Sequence, residues 1–249
     1  MKFPAAAWAW RALGDVFFPP VCVHCRGLVE DSGYRHLCAR CAGRLDFVRS
    51  PCCATCGHPF YGPGAGEAAA AGGCEHCAEL LPAFRRGRAA VMFRGPARAL
   101  VMELKYHRGR HVLEDIEAIF RRSAGMLAHV RGAALVPVPL HPRKRRERGY
   151  NQSELVARAL ARAAGGGTRV ERLLRRVVDT PTQTGFDRPT RRSNLKNAFA
   201  LARGAGLNPH RRYVLVDDVF TTGSTLNSCA RELRRAGCLK LDVAMFGHG

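Results

Sequence analysis

Val214-Leu-Val-Asp-Asp-Val-Phe-Thr-Thr-Gly-Ser-Thr225 is the stretch that decides how this 249-residue chain is read. Tyr213 to Val216 is apolar, valine-rich and too short for a helix, which predicts a buried strand. Beyond the turn, Leu226, Cys229, Ala230 and Leu233 recur at helical spacing, and Gly237 stands where such a helix stops. Leu239, Leu241, Val243 and Met245 then alternate with less apolar neighbours, as a further strand does. Strand, turn, helix and strand form a βαβ unit, which predicts an α/β fold with a parallel sheet flanked by helices.

The chemistry of the stretch lies at the carboxyl end of its first strand, where ligands of parallel sheets bind. Asp217 and Asp218 supply acceptors for sugar hydroxyls. The small residues Thr221, Thr222, Gly223, Ser224 and Thr225 lead into a helix start, whose backbone N–H groups face a phosphate. A phosphorylated sugar needs both features. The competing reading, a turn whose Asp and Thr merely cap a helix, explains each residue alone. It does not explain their order between two elements of the right type.

Cysteine divides the chain. Nine of eleven cysteines precede residue 78, and eight fall into C-x2-C pairs: Cys22 with Cys25, Cys38 with Cys41, Cys53 with Cys56, and Cys74 with Cys77. Each pair puts two sulfurs on one tight knuckle, and two knuckles complete a tetrahedral thiolate site, so the eight residues predict two structural zinc ions. A disulfide framework is the alternative, but no export signal accompanies the cysteines, and paired knuckles fit a reducing, cytoplasmic setting. So little apolar sequence separates the pairs that metal must supply much of the folding energy, and chelation is expected to unfold this part and spare much of the rest. Spacing alone leaves open whether consecutive or alternating pairs share an ion. It favours Cys53 over Cys52 as the partner of Cys56. His24, His58 and His76 sit in or beside knuckles already closed by thiolates and read as exposed spacers.

Other features bound the reading. The net charge of +20 is carried mostly by arginine and draws polyanions without naming one. No run of about 18 apolar residues predicts a membrane span. Residues 1–20 read as a short amphipathic helix rather than a signal peptide. Gly62 to Gly73 reads as a flexible loop; its glycines lack the strand and acidic partner of a dinucleotide site, and no Walker G-K-[ST] occurs. Ala89 to Phe93 and Ala134 to Pro139 read as strands, and Ala97 to Leu104 as a helix. The basic run Arg143 to Arg148 reads as a loop ahead of a helix, which Asn151 and Glu154 open as a capping box.

The 214–225 stretch resembles the 5-phosphoribosyl-1-diphosphate (PRPP) motif of type I phosphoribosyltransferases. With Phe93-Arg-Gly-Pro-Ala-Arg-Ala-Leu100, Leu104-Lys-Tyr106, Val136-Pro-Val-Pro139, Arg148-Gly-Tyr-Asn-Gln152, Thr182-Gln183 and Arg191 to Phe199, nearly the whole chain resembles the ComF family, known for competence and DNA uptake. The resemblance implies a double zinc ribbon at residues 21–82, with consecutive knuckles paired, and a phosphoribosyltransferase-like domain at 83–249. It implies that Lys105 and Tyr106 begin a diphosphate loop and that Arg143 and Arg148 belong to a mobile loop closing over PRPP and magnesium. It places Thr180 to Phe199 near an acceptor side. Two functions follow as expectations. One is catalysis, with Lys105, Arg143 and Arg148 stabilising the leaving diphosphate. The other is a non-catalytic sensor or scaffold that holds single-stranded DNA and meets DNA-uptake proteins.

Overall fold

The computed structural model describes residues 15, 17–70, 72, 74–178 and 198–249. The helix expected over residues 1–20 therefore lies outside the described residues except at positions 15 and 17–20, and so does nearly all of the 180–199 segment.

Five parallel strands form the central sheet: β1 (Gly87–Met92), β2 (Ala134–Pro137), β3 (Arg169–Val170), and two long strands, Arg212–Phe220 and Lys240–His248. A separate antiparallel pair, β4 (Leu174–Arg176) and β5 (Phe199–Leu201), makes the long strands β6 and β7 in chain order. The sheet runs β1-β7-β6-β2-β3. From β2 the chain moves outward to β3, while from β6 it moves the other way to β7. Order therefore reverses between β6 and β2, and ligands of parallel sheets bind beyond the carboxyl ends of strands at such a point.

Helices cover both faces. In chain order, α1 (Ala39–Ala42) and α2 (Ala65–Ala70) lie among the cysteine pairs. Then come α3 (Gly95–Tyr106), α4 (Leu113–Arg121), α5 (Ala124–Val130), α6 (Pro142–Arg148), α7 (Gln152–Ala164) and α8 (Ser224–Arg235). Leu100, Ile116, Val156 and Leu160 pack with Val214 and Val216 on one face, while Leu226, Ala230 and Leu233 pack with Leu215 and Val243 on the other. Alternate residues of β6 thus feed two cores, as a strand buried on both faces must.

Three expectations change in detail. The basic run is helical: Pro142 opens α6, His141 accepts the Arg143 N–H at 3.4 Å, and Gly149 ends it at φ 82°. The Gly62 to Gly73 stretch contains α2, an alanine-rich turn with no buried residue. Asn151 does cap α7, accepting from the Ser153 N–H at 3.2 Å, but Glu154 does not close a capping box; it pairs with Arg158 and Arg172.

The cysteine-rich part is not packed as a separate body. Cys22, Tyr34, Leu37 and Cys41 join the core of α3, α4 and α7, and Cys53, Cys56 and Cys74 join the core under α8. Buried Asp115 on α4 accepts the backbone N–H groups of Arg35 and His36, both at 2.8 Å. The segment around Phe47 runs antiparallel to β1, with the Val48 N–H on the Ala90 carbonyl at 3.0 Å and the Met92 N–H on the Asp46 carbonyl at 2.8 Å. At Gly57 (φ 78°) a side chain would meet the Ala89 nitrogen at 2.9 Å, so only glycine lets this knuckle lie against β1.

Candidate functional site

The eight paired cysteines form two groups, Cys22, Cys25, Cys38 and Cys41, and Cys53, Cys56, Cys74 and Cys77. Consecutive knuckles therefore converge, which closes the question spacing left open. Sulfurs of the two knuckles approach at 3.7 Å (Cys25 to Cys38) and 3.6 Å (Cys53 to Cys77, Cys56 to Cys74). Zn–S bonds of about 2.3 Å in a tetrahedron put sulfurs about 3.8 Å apart, so both groups fit zinc. Cys52 stands outside them, its backbone bridged to Pro59. A hydrogen bond from Cys56 leads the effects that pull the Cys53 thiol down to about 4. His24 is no idle spacer: its Nδ1 lies 3.3 Å from the Cys41 sulfur.

The acidic pair sits near the carboxyl end of β6, at the reversal of strand order. Asp218 is 3% exposed. Its Oδ1 lies 2.8 Å from Lys105 Nζ, while its Oδ2 has no hydrogen-bond partner among the described residues. Lys105 comes from the last turn of α3. Burial works against its ammonium, but Asp218, with Asp217 behind it, outweighs that and raises its pKa. Asp217 takes a different partner. Its Oδ1 accepts from Ser153 Oγ at 2.8 Å and from the Asp218 N–H at 2.9 Å. Side chains of successive strand residues leave on opposite sides, so the two carboxylates diverge although their charges still interact. Burial first, and the Asp218 charge second, push Asp217 up to about 7.

That value sets a pH dependence. The folded protein keeps a proton on Asp217 that the unfolded chain releases near 3.8. Stability is therefore expected to fall as pH rises from about 4 to about 7, and then to level. Asp217→Asn removes the titrating group, so unfolding free energies from urea titration at pH 5 and pH 8 should differ less in the variant, by on the order of 1 kcal/mol per pH unit crossed. An unchanged difference contradicts the burial assigned to Asp217.

The turn follows directly. Gly223 precedes α8 at φ 70°, and a side chain there would meet the Phe220 ring at 2.6 Å and Leu80 at 3.0 Å. Thr222 Oγ1 and Ser224 Oγ are 2.9 Å apart, and the Ser224 N–H reaches Thr222 Oγ1 at 3.4 Å. Thr221 is exposed and Thr225 half-buried. The first N–H groups of α8 lack intrahelical partners, and with the helix dipole they favour an anion. Asn227 fixes the helix by accepting the Ala83 N–H at 2.7 Å and donating to Leu81 O at 2.9 Å, so the segment after the cysteines lies against this turn.

The remaining sequence candidates cluster less tightly. Arg148 stands 5.5 Å from the Tyr106 ring centre and donates to Gln152 at 2.8 Å, so α6 meets the end of α3. Arg143 is exposed and pairs with Glu147 along α6 at 3.1 Å; no described contact joins it to Asp218. Tyr150 is a packed residue, donating to Leu104 O. Ser153 was missed by the sequence reading, although it directly follows the Arg148 to Gln152 motif. Asn151 also does more than cap a helix: its amide holds Val138 O at 2.9 Å, tying α7 to the end of β2.

Comparison with known proteins fits these observations. A family model described as a double zinc ribbon domain matches residues 13–79. Competence protein F of Haemophilus influenzae is 31% identical over 91% of this chain and 96% of its own length. The chain belongs to the ComF family. The DNA utilization protein YhgH of Salmonella typhimurium is another ComF-like relative, 32% identical over 90% of this chain and 95% of its own. A solved hypoxanthine phosphoribosyltransferase from Staphylococcus aureus aligns with 53% of this ComF-family chain and 62% of its own length, at 17% identity and a TM-score of 0.34. Sheet order and the two cysteine groups define the fold. No helix among the described residues is long and apolar enough to cross a membrane.

Proposed function

We propose that this ComF-family chain binds PRPP or a related phosphoribosyl ligand, and that it serves competence, DNA uptake or DNA utilisation in the cytoplasm. The observation that carries the reading is Asp218: a buried carboxylate with one oxygen on Lys105 and the other unpartnered among the described residues, directly before a turn that starts α8. Buried acceptors are nearly always satisfied, so an orphaned carboxylate oxygen at this strand end favours a ligand that donates to it.

In this reading Asp218 accepts ribose hydroxyls, Thr221 to Thr225 surround the 5-phosphate, and Lys105 and Tyr106 lie toward the diphosphate. The unpartnered Asp218 oxygen also fits the hard oxygen donors that magnesium takes. When bound with the ligand, magnesium neutralises diphosphate charge. Asp217 is tied to Ser153, which leaves Asp218 as the carboxylate with an oxygen free for a ligand. No described residue identifies an acceptor.

For DNA, the exposed guanidinium groups of Arg145 and Arg146 on α6 supply a cationic surface for a polyanion. The relatives named for competence and DNA utilisation support that assignment. The test is calorimetric titration of the full chain with PRPP and magnesium, alone and with single-stranded DNA, at several salt concentrations. One saturable PRPP site is expected. DNA affinity should fall steeply with salt, and Arg145→Ala with Arg146→Ala should flatten the slope by about 1.4. No PRPP heat, or a flat salt response, rejects the corresponding half of the proposal.

A further inference from the structure

Three histidines from distant parts of the chain meet where the second cysteine group touches the sheet. His58 follows the Cys53 knuckle, His76 lies inside the Cys74 knuckle, and His248 ends β7. One ring nitrogen from each lies within 4.8 Å of the others. The rings of His58 and His76 stack at 3.7 Å, and His248 meets them edge-on at 5.0 and 5.5 Å.

His248 is what makes this more than a cluster. It is fully buried, yet neither Nδ1 nor Nε2 has a hydrogen-bond partner among the described residues. Phe220 covers one ring face at 5.0 Å. Leaving a buried polar group unsatisfied is costly, and an unpaired group of this kind in a folded protein points to water or an ion. The group offers three imidazoles and no carboxylate. Such a donor set suits zinc, copper, nickel or cobalt and disfavours magnesium and calcium, which take oxygen.

We propose that His58, His76 and His248 form a third metal site, for a divalent borderline cation with zinc as its first choice, separate from the two thiolate sites. The three ligand sets share no residue. Zn–N bonds of about 2.0–2.1 Å place nitrogens about 3.3 Å apart in a tetrahedral site. Reaching that spacing takes side-chain rotation that breaks the His58–His76 stack, and His76 is exposed and His58 only half-buried. Three protein ligands leave a fourth position open, unlike a closed four-thiolate site. Coordination would also clip the end of β7 to the second ribbon beside Phe220, the residue next to the phosphate turn. This inference does not rest on PRPP binding.

The test is metal stoichiometry of the full chain, by native mass spectrometry and elemental analysis after equilibration with micromolar free zinc. Three equivalents are expected in the unaltered chain, and two in His76→Ala and in His58→Ala. Copper added to the zinc-loaded chain should give an EPR signal with nitrogen hyperfine structure that both variants lose. His76 is exposed, so its variant decides the matter even where a His248 replacement fails to fold. Two equivalents in the unaltered chain, or a third retained in both variants, overturns the site.

Discussion

Asp218→Asn is expected to weaken PRPP binding by about a hundredfold or more, with little loss of folded protein. The variant keeps the shape of the side chain and removes its charge. Hydrogen bonds to charged groups contribute about 1.5–3 kcal/mol each, so losing the charged acceptor for a pair of ribose hydroxyls exceeds the roughly 2.7 kcal/mol that a hundredfold represents. Lys105 loses the ion pair at 2.8 Å and is left 20% exposed beside Asp217, which opposes any compensation. Asp217→Asn should do less, since that carboxylate is held by Ser153 and raised to about 7. Calorimetry on both variants gives the ranking. Equal, near-unchanged affinities would mean that the ligand does not use this strand end.

Removing zinc is the second large effect. Structural zinc sites contribute about 10–16 kcal/mol in small metal-folded modules, comparable with or larger than the total stability of an ordinary domain. The sequence suggested that such loss would spare much of the chain beyond the ribbons. The packing argues for a wider effect: Cys22 and Leu37 lie in the same core as Leu100 and Ile116, Asp115 is bound to ribbon amides, and β1 pairs with the Asp46 to Val48 segment. A chelator is therefore expected to lower the main calorimetric transition by more than about 10 °C, as a loss of several kcal/mol does in a domain of this size, and to speed hydrogen exchange in β1. Retention of an unshifted main transition would show that the two parts fold independently.

The elements legible in the sequence were those specified locally. Valines before two aspartates, a small-residue turn and a helical apolar stripe define β6 and α8 within one short stretch, and the cysteine pairs declare a metal by spacing alone. What the sequence hid has distinct causes. Helix α6 has no apolar face, so periodicity is silent; Pro142 and Gly149 are its only signals. The split between Asp217 and Asp218 follows from strand alternation, but their partners, Ser153 and Lys105, come from helices far along the chain. His248 looks like an ordinary terminal residue of a strand until the fold brings it to knuckle residues from the first third of the chain.

The most direct measurement is a crystal structure of the full chain with PRPP and magnesium. The expected result is a 5-phosphate on the backbone N–H groups of Thr221 to Thr225, with a ribose hydroxyl on Asp218. A ligand bound elsewhere, with that turn still packed under Leu80 and Asp218 bonded to Lys105 alone, would contradict the account.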